Sequence, residues 1–252
     1  MNSHEDACCT QAVTDSRRRM VLKSALGLAT VTAVGALPWA IPGLAQAAAL
    51  TKEQRDAMTP DQVIAMFKEG NERFRAGKTQ THDYLAQKRA SASGQYPEAV
   101  ILSCIDSRAP AEIILDTGIG DIFNARVAGN IANDDLIGSL EFACALAGSK
   151  VVLVMGHTGC GAIKGAIDNA KLGNLTGLLD KIKPAVAATQ YSGARTSKND
   201  AFVDAVAITN VRLTMDEIRK RSDVLDGLEK DGKIKIVGAM YYLVGGRVEF
   251  LA

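Results

Sequence analysis

The chain has 252 residues, 47% of them hydrophobic, and its 29 Lys plus Arg nearly balance 28 Asp plus Glu for a net charge of +1. That is enough apolar material for one domain with a sizeable core. No basic stripe and no interleaving of basic with aromatic residues appears, which argues against a nucleic-acid partner.

The first fifty residues stand apart. Arg18-Arg19-Met20-Val21-Leu22-Lys23 fits the twin-arginine export pattern, an uncharged run follows from Ser24 to Thr51, and Ala45-Gln46-Ala47 offers a small-x-small cleavage site. Residues 1–47 therefore read as a twin-arginine signal peptide, recognised by the twin-arginine machinery, and residues 48–252 as a single domain bound for the periplasm. The rival reading is an uncleaved membrane anchor, because the uncharged run is long enough to span a bilayer. Its many Gly and Ala, with Pro38 and Pro42 near its end, favour the signal. Cleavage removes Cys8 and Cys9 and leaves a neutral chain with Cys104, Cys144 and Cys160. Three thiols make a poor disulfide framework in an oxidising compartment. Two committed to metal and one buried is the better account. Twin-arginine export carries folded proteins, so metal could be loaded in the reducing cytoplasm.

Along the remaining chain, Thr59-Pro60-Asp61-Gln62 opens a helix: Thr59 caps, Pro60 suits the first helical position and Gln62 completes a capping box. Val63, Ile64, Phe67 and Phe74 follow at helical intervals, and Gly77 ends the run. A second helix is expected over His82 to Ser91, with His82 and Asp83 as a surface pair. Ala99 to Cys104 is a short apolar run typical of a buried parallel strand, and Asp121 to Val127 reads as another. Asp134 to Ala147 is a helix that buries Cys144. Lys150 to Met155 is the clearest strand. Helices are expected over Gly161 to Lys171, Leu175 to Gln190 and Ala201 to Arg221, the last two joined by a polar loop from Ser192 to Asn199. Lys233 to Val244 is a strand, Gly245-Gly246 a hairpin turn, and Arg247 to Leu251 the return strand. Together these predict an α/β fold: a mostly parallel sheet flanked by helices, closed by a C-terminal antiparallel hairpin.

Cys104-Ile105-Asp106-Ser107-Arg108 ends the first strand, and Gly156-His157-Thr158-Gly159-Cys160-Gly161 follows the third. Ligands of open α/β sheets bind beyond the carboxyl ends of strands, so Cys104, His157 and Cys160 should meet in one crevice. Two thiolates and one imidazole suit zinc, and three protein ligands leave a fourth position open for water, as in catalytic sites. Two thiolates make that zinc a weak Lewis acid. Asp106 could accept a hydrogen bond from the zinc-bound hydroxide and orient it, held ionised by Arg108. Released by Arg108, Asp106 could instead take the fourth metal position. Gly159 and Gly161 give backbone room at a tight turn, and no phosphate-loop or dinucleotide fingerprint appears.

These motifs resemble those of the β-class carbonic anhydrases: Cys-x-Asp-x-Arg, then His-x-x-Cys within a Gly-His-[Ser/Thr]-x-Cys-Gly run. Gly70-Asn71-Glu72-Arg73-Phe74, Arg126-Val127-Ala128-Gly129-Asn130, Ser139-Leu140-Glu141-Phe142-Ala143 and Gly238-Ala239-Met240-Tyr241-Tyr242 extend the likeness from Thr59 to Leu251. The resemblance implies reversible hydration of carbon dioxide to bicarbonate and a proton. It implies Zn2+ on Cys104, His157 and Cys160, with Asp106 and Arg108 as the catalytic dyad. It implies substrate contacts from Gln95, Phe123 and Phe142, the last standing where a plant-like subgroup often has Tyr. It also implies a homodimer or a dimer-based higher oligomer. Ile101 replaces the Trp of a bicarbonate-inhibited subgroup, so the Asp106–Arg108 pair is expected to form at neutral pH. The competing readings are a hydrolase of a carbon dioxide analogue, such as carbonyl sulfide or carbon disulfide, and a non-catalytic zinc-binding or redox-sensing protein.

Overall fold

The computed structural model describes residues 49–251. The signal-peptide reading of residues 1–47 lies outside them. In chain order the elements are α1 (Lys52–Ala57), α2 (Pro60–Arg75), α3 (Tyr84–Ala90), β1 (Ala99–Ser103), α4 (Ala111–Ile114), β2 (Ile122–Arg126), a 3-10 turn (Ala128–Asn130), α5 (Asp134–Glu141) running into a π turn (Phe142–Leu146), β3 (Val151–His157), α6 (Gly161–Ile167), α7 (Gly173–Asp180), α8 (Lys183–Ala188), α9 (Asp200–Arg221), α10 (Asp223–Lys230), β4 (Lys235–Tyr241) and β5 (Val248–Phe250). The sheet runs β2-β1-β3-β4-β5; its first four strands are parallel, and β5 returns antiparallel to β4. The expected fold class is the one observed.

Side chains of β1 alternate between two cores, as the period of a strand requires. Val100 and Leu102 join Leu140, Ile163, Phe202 and Val206 on one face. Ala99 and Ile101 join Val63, Phe67, Ile114 and Leu115 on the other. β1 and β3 are buried along their whole length, which explains their unbroken apolar sequences. The chain leaves β1 for β2 on one side and later enters β3 on the other. The strand order thus reverses between β1 and β3, and at such a switch point the loops diverge and leave a crevice.

Helix α2 starts as its sequence predicts: Gln62 N donates to Thr59 Oγ1, and Thr59 N donates to Gln62 Oε1 at 2.8 Å. The helix expected over 175–190 is two helices, because Pro184 has no N–H to give and α8 restarts around it. The helix from Gly161 stops at Ile167, and Asn169 takes φ +53 just beyond it. The connection from β4 to β5 spans residues 242–247 rather than the two expected glycines. Tyr242 N donates to Arg247 O and closes the segment, Leu243 N donates to Thr158 Oγ1, and Asn71 bridges to its end, its Nδ2 donating to Gly246 O and its Oδ1 accepting from Val248 N of β5. His82 is not a surface residue paired with Asp83. Its side chain is buried, with Nε2 3.4 Å from Asp116 Oδ1, and Asp83 caps α3 instead. Among the described residues no helix is long and apolar enough to cross a membrane.

Candidate active site

Cys104 follows the last residue of β1, His157 is the last residue of β3, and Cys160 caps α6. All three stand at the β1–β3 switch point, and all are buried. Their ligating atoms lie within 4.8 Å of one another. The two sulfurs are 3.9 Å apart, far beyond a disulfide bond. Gly159, at φ +62, makes the tight turn that lets His157 and Cys160 face the same point.

The three groups fit a metal ion on the chemistry of the protein alone. His157 Nδ1 donates to Thr158 O at 3.0 Å, which fixes the tautomer and leaves Nε2 with a lone pair. That Nε2 is buried and has no hydrogen-bond partner, an arrangement that costs free energy unless something occupies it. The thiols are in a similar conflict. A hydrogen bond from Cys160, opposed by burial, holds Cys104 down to about 4. The same contact, with burial, pushes Cys160 up. Ionising one of two thiols this close opposes ionising the other, and a cation between them would remove that conflict. Cys144 is different: it sits in the π turn, outside the group of three ligating atoms, and burial alone pushes its thiol up to about 12.

Asp106 flanks the crevice. Arg108 grips it with Nε on Oδ1 at 2.9 Å and Nη2 on Oδ2 at 2.7 Å, and the Arg108 backbone N–H adds a third bond to Oδ1. These hydrogen bonds, against partial burial, hold the Asp106 carboxyl well below the usual carboxylate range. Arg126 supports the same loop from β2, donating to Cys104 O at 2.9 Å and Asp106 O at 2.6 Å. Helix α9 supports the other half: Asp204 Oδ1 accepts from Gly159 N at 2.9 Å. Arg126 stood in a run already noted for its resemblance. Asp204 carries no local signal, since nothing in its helix marks it as reaching a loop 45 residues away.

Gln95, Phe123 and Phe142 do not join these groups within one chain. Gln95 precedes β1 and Cys104 follows it, so a strand of five residues, about 17 Å, separates them. Phe123 lies beside Val100 near the start of β2 and packs edge-on against Phe142, with centroids 6.2 Å apart.

Fold and site together define an α/β protein with a Cys-His-Cys centre at its switch point. The family model described as carbonic anhydrase matches residues 99–248. Carbonic anhydrase 2 of Mycobacterium tuberculosis is 36% identical over 187 residues, covering 72% of this chain and 87% of the relative. The crystal structure of the β-carbonic anhydrase CafA of Aspergillus fumigatus superposes with a TM-score of 0.59 at 28% identity, over 76% of this chain and 89% of that one. One of two tetrameric β-carbonic anhydrases from Sordaria macrospora has the same fold, with a TM-score of 0.56 at 24% identity over 64% and 83% of the two chains. This chain belongs to the carbonic anhydrase family.

Proposed function

We propose that this protein is a zinc-dependent carbonic anhydrase that hydrates carbon dioxide reversibly to bicarbonate and a proton. The observation that carries this reading is the meeting of Cys104, His157 and Cys160 beside the Asp106–Arg108 pair. Zinc bonds of about 2.3 Å to sulfur in a tetrahedral site place two sulfurs about 3.8 Å apart, and the observed separation is 3.9 Å. Bound zinc would supply Lewis acidity, lowering the pKa of a coordinated water toward about 7.

The chain's own residues do the rest. The outer nitrogen of His157 stays protonated toward Thr158 O, so the imidazole is presented neutral and correctly turned. Asp106 Oδ2 accepts a hydrogen bond from the attacking oxygen and orients it. Arg108 keeps that carboxylate ionised and turned aside from the three ligands, which leaves room for substrate. Gln95, Phe123 and Phe142 would serve the site of a second copy. Exposed Tyr84, Ile113 and Ile119, close to the loop of Gln95, offer an apolar face for such a copy.

The test is stopped-flow carbon dioxide hydration by the zinc-loaded protein, near pH 7.5 and again near pH 9. Fast turnover at both supports an open site. Turnover only at the higher pH places Asp106 on the metal near neutrality. No turnover with zinc bound moves the reading to a carbon dioxide analogue, checked with carbonyl sulfide, or to a non-catalytic zinc protein. Export through the twin-arginine pathway rests on Arg18-Arg19 and the uncharged run after them. An Arg18→Lys, Arg19→Lys precursor that still reaches the periplasm would overturn it.

A further inference from the structure

We propose that Asn210 is a positioning residue for the Cys104 sulfur, acting through Gly129. This rests on the reading of Cys104 as a metal ligand. Gly129 N donates to Cys104 Sγ at 3.4 Å, from a position 25 residues further along the chain. Gly129 stands at φ +69 inside the 3-10 turn, and Asn130 follows at φ +42. Gly accepts this region freely and Asn at modest cost, so the turn's direction is set by the partners of its backbone groups. Asn210 is such a partner, from α9: its Nδ2 donates to Gly129 O at 2.8 Å. Asn210 is buried, on a helix of 22 residues packed into the core. Gly129 has no room for a side chain, since Ile182 Cδ1 lies 2.5 Å from where a Cβ would stand. The Asn210 bond to its carbonyl thus holds the turn with its N–H aimed at the sulfur.

An N–H donor on a thiolate draws off part of its charge. Two full thiolates and a neutral imidazole nearly cancel the charge of a divalent cation and blunt its Lewis acidity. A donor held on Cys104 restores some of that acidity and fixes the direction of the sulfur lone pairs, as outer partners of metal ligands do. Asn210 touches no ligand itself. Its effect reaches Cys104 only through the backbone of Gly129.

The experiment uses the whole protein loaded with cobalt in place of zinc. Asn210→Ala and Asn210→Asp should shift the thiolate-to-cobalt charge-transfer band and weaken cobalt binding about 10–100-fold against a competing chelator. Thr214→Val, one turn further along α9 and also buried, should change neither. A merely structural Asn210 would lower the melting temperature and leave band and affinity at parent values, which overturns the proposal. A readout on the unaltered protein stands beside these. Loaded with cadmium-113, it should show a coupling between the Gly129 amide and the metal across the N–H···S bond, and its absence also overturns the proposal. A parent protein that takes up neither metal overturns the reading of the centre itself, and with it this inference.

Discussion

Asp106 Oδ2 stands 3.8 Å from His157 Nε2. That is too long for a direct hydrogen bond, and it sets the carboxylate beside the space between the three ligands rather than in it. Arg108 keeps it there through a two-pronged contact. Asp106→Ala should therefore lower kcat/KM for carbon dioxide hydration by about 10²–10⁴, the range for loss of a positioned proton acceptor, while zinc stays at one per chain. Arg108→Ala should fall in the same range. The double variant should be little worse than either single one, because the pair acts as a unit. Stopped-flow rates with metal analysis on the same samples check this. Zinc lost together with activity would assign Asp106 to holding metal instead.

The thiols make a second prediction. In chelator-treated protein at pH 7, Cys104 should alkylate first, because its ionisation is held far below the usual thiol range. Cys144 should resist, buried and with its thiol pushed up to about 12. Zinc should protect Cys104 and Cys160 together and leave Cys144 as it was. Peptide mass spectrometry after timed iodoacetamide labelling reads all three. Equal protection of Cys144 would point to general tightening of the fold rather than ligation.

What the sequence revealed and what it hid divide along contact distance. β1 and β3 were legible as unbroken apolar runs, and the motifs ending them carried Cys104, His157 and Cys160 to one crevice. Two missed helices had local signals that neighbours masked. Helix α1 carries a Thr51–Gln54 capping box at the end of the uncharged run, and α10 is capped by Ser222 directly after α9. Helix α4 is four residues long, and its N-cap, Pro110, has no side chain that can cap it, so nothing local marks it. The partnerships of His82 with Asp116, Asp204 with Gly159 and Asn210 with Gly129 cross 34, 45 and 81 residues. Only packing decides them, and a single sequence does not display it.

One of those hidden contacts carries stability. Asp116 is almost wholly buried and accepts from Arg73 Nε at 2.5 Å and from Gln80 N at 3.1 Å, with His82 beside it. It thereby ties α2 and the segment before α3 to the end of α4. Asp116→Ala leaves Gln80 N–H without its acceptor, while the partly exposed Arg73 guanidinium turns to water, so the loss should be about 1–3 kcal/mol. His82→Ala removes the longer contact and should cost less. Urea melts of zinc-loaded protein measure both, and equal losses would show that the His82 contact carries the effect rather than Gln80 N–H.

A buried carboxyl should make stability fall as the pH rises toward 8. Glu98, just before β1, lines a cavity of about 80 Å³ with Asp121, Asp116 and Arg73. Burial first, and then the nearby Asp121 carboxylate, raise Glu98 from 4.5 to about 8. Arg73 does not offset this, since it is engaged by Asp116. The folded protein therefore keeps a proton on Glu98 up to about pH 8, whereas the unfolded chain releases it near 4.5. Between those values the folded state binds more protons, so stability falls as pH rises through the window and levels off above it. The melting temperature of zinc-saturated protein should drop between pH 6 and pH 9. Glu98→Gln, neutral throughout, should flatten most of that drop and overtake the parent at pH 9. Parallel declines in the two proteins would place the alkaline transition elsewhere, with the raised carboxyl of Asp121 as the next group to substitute.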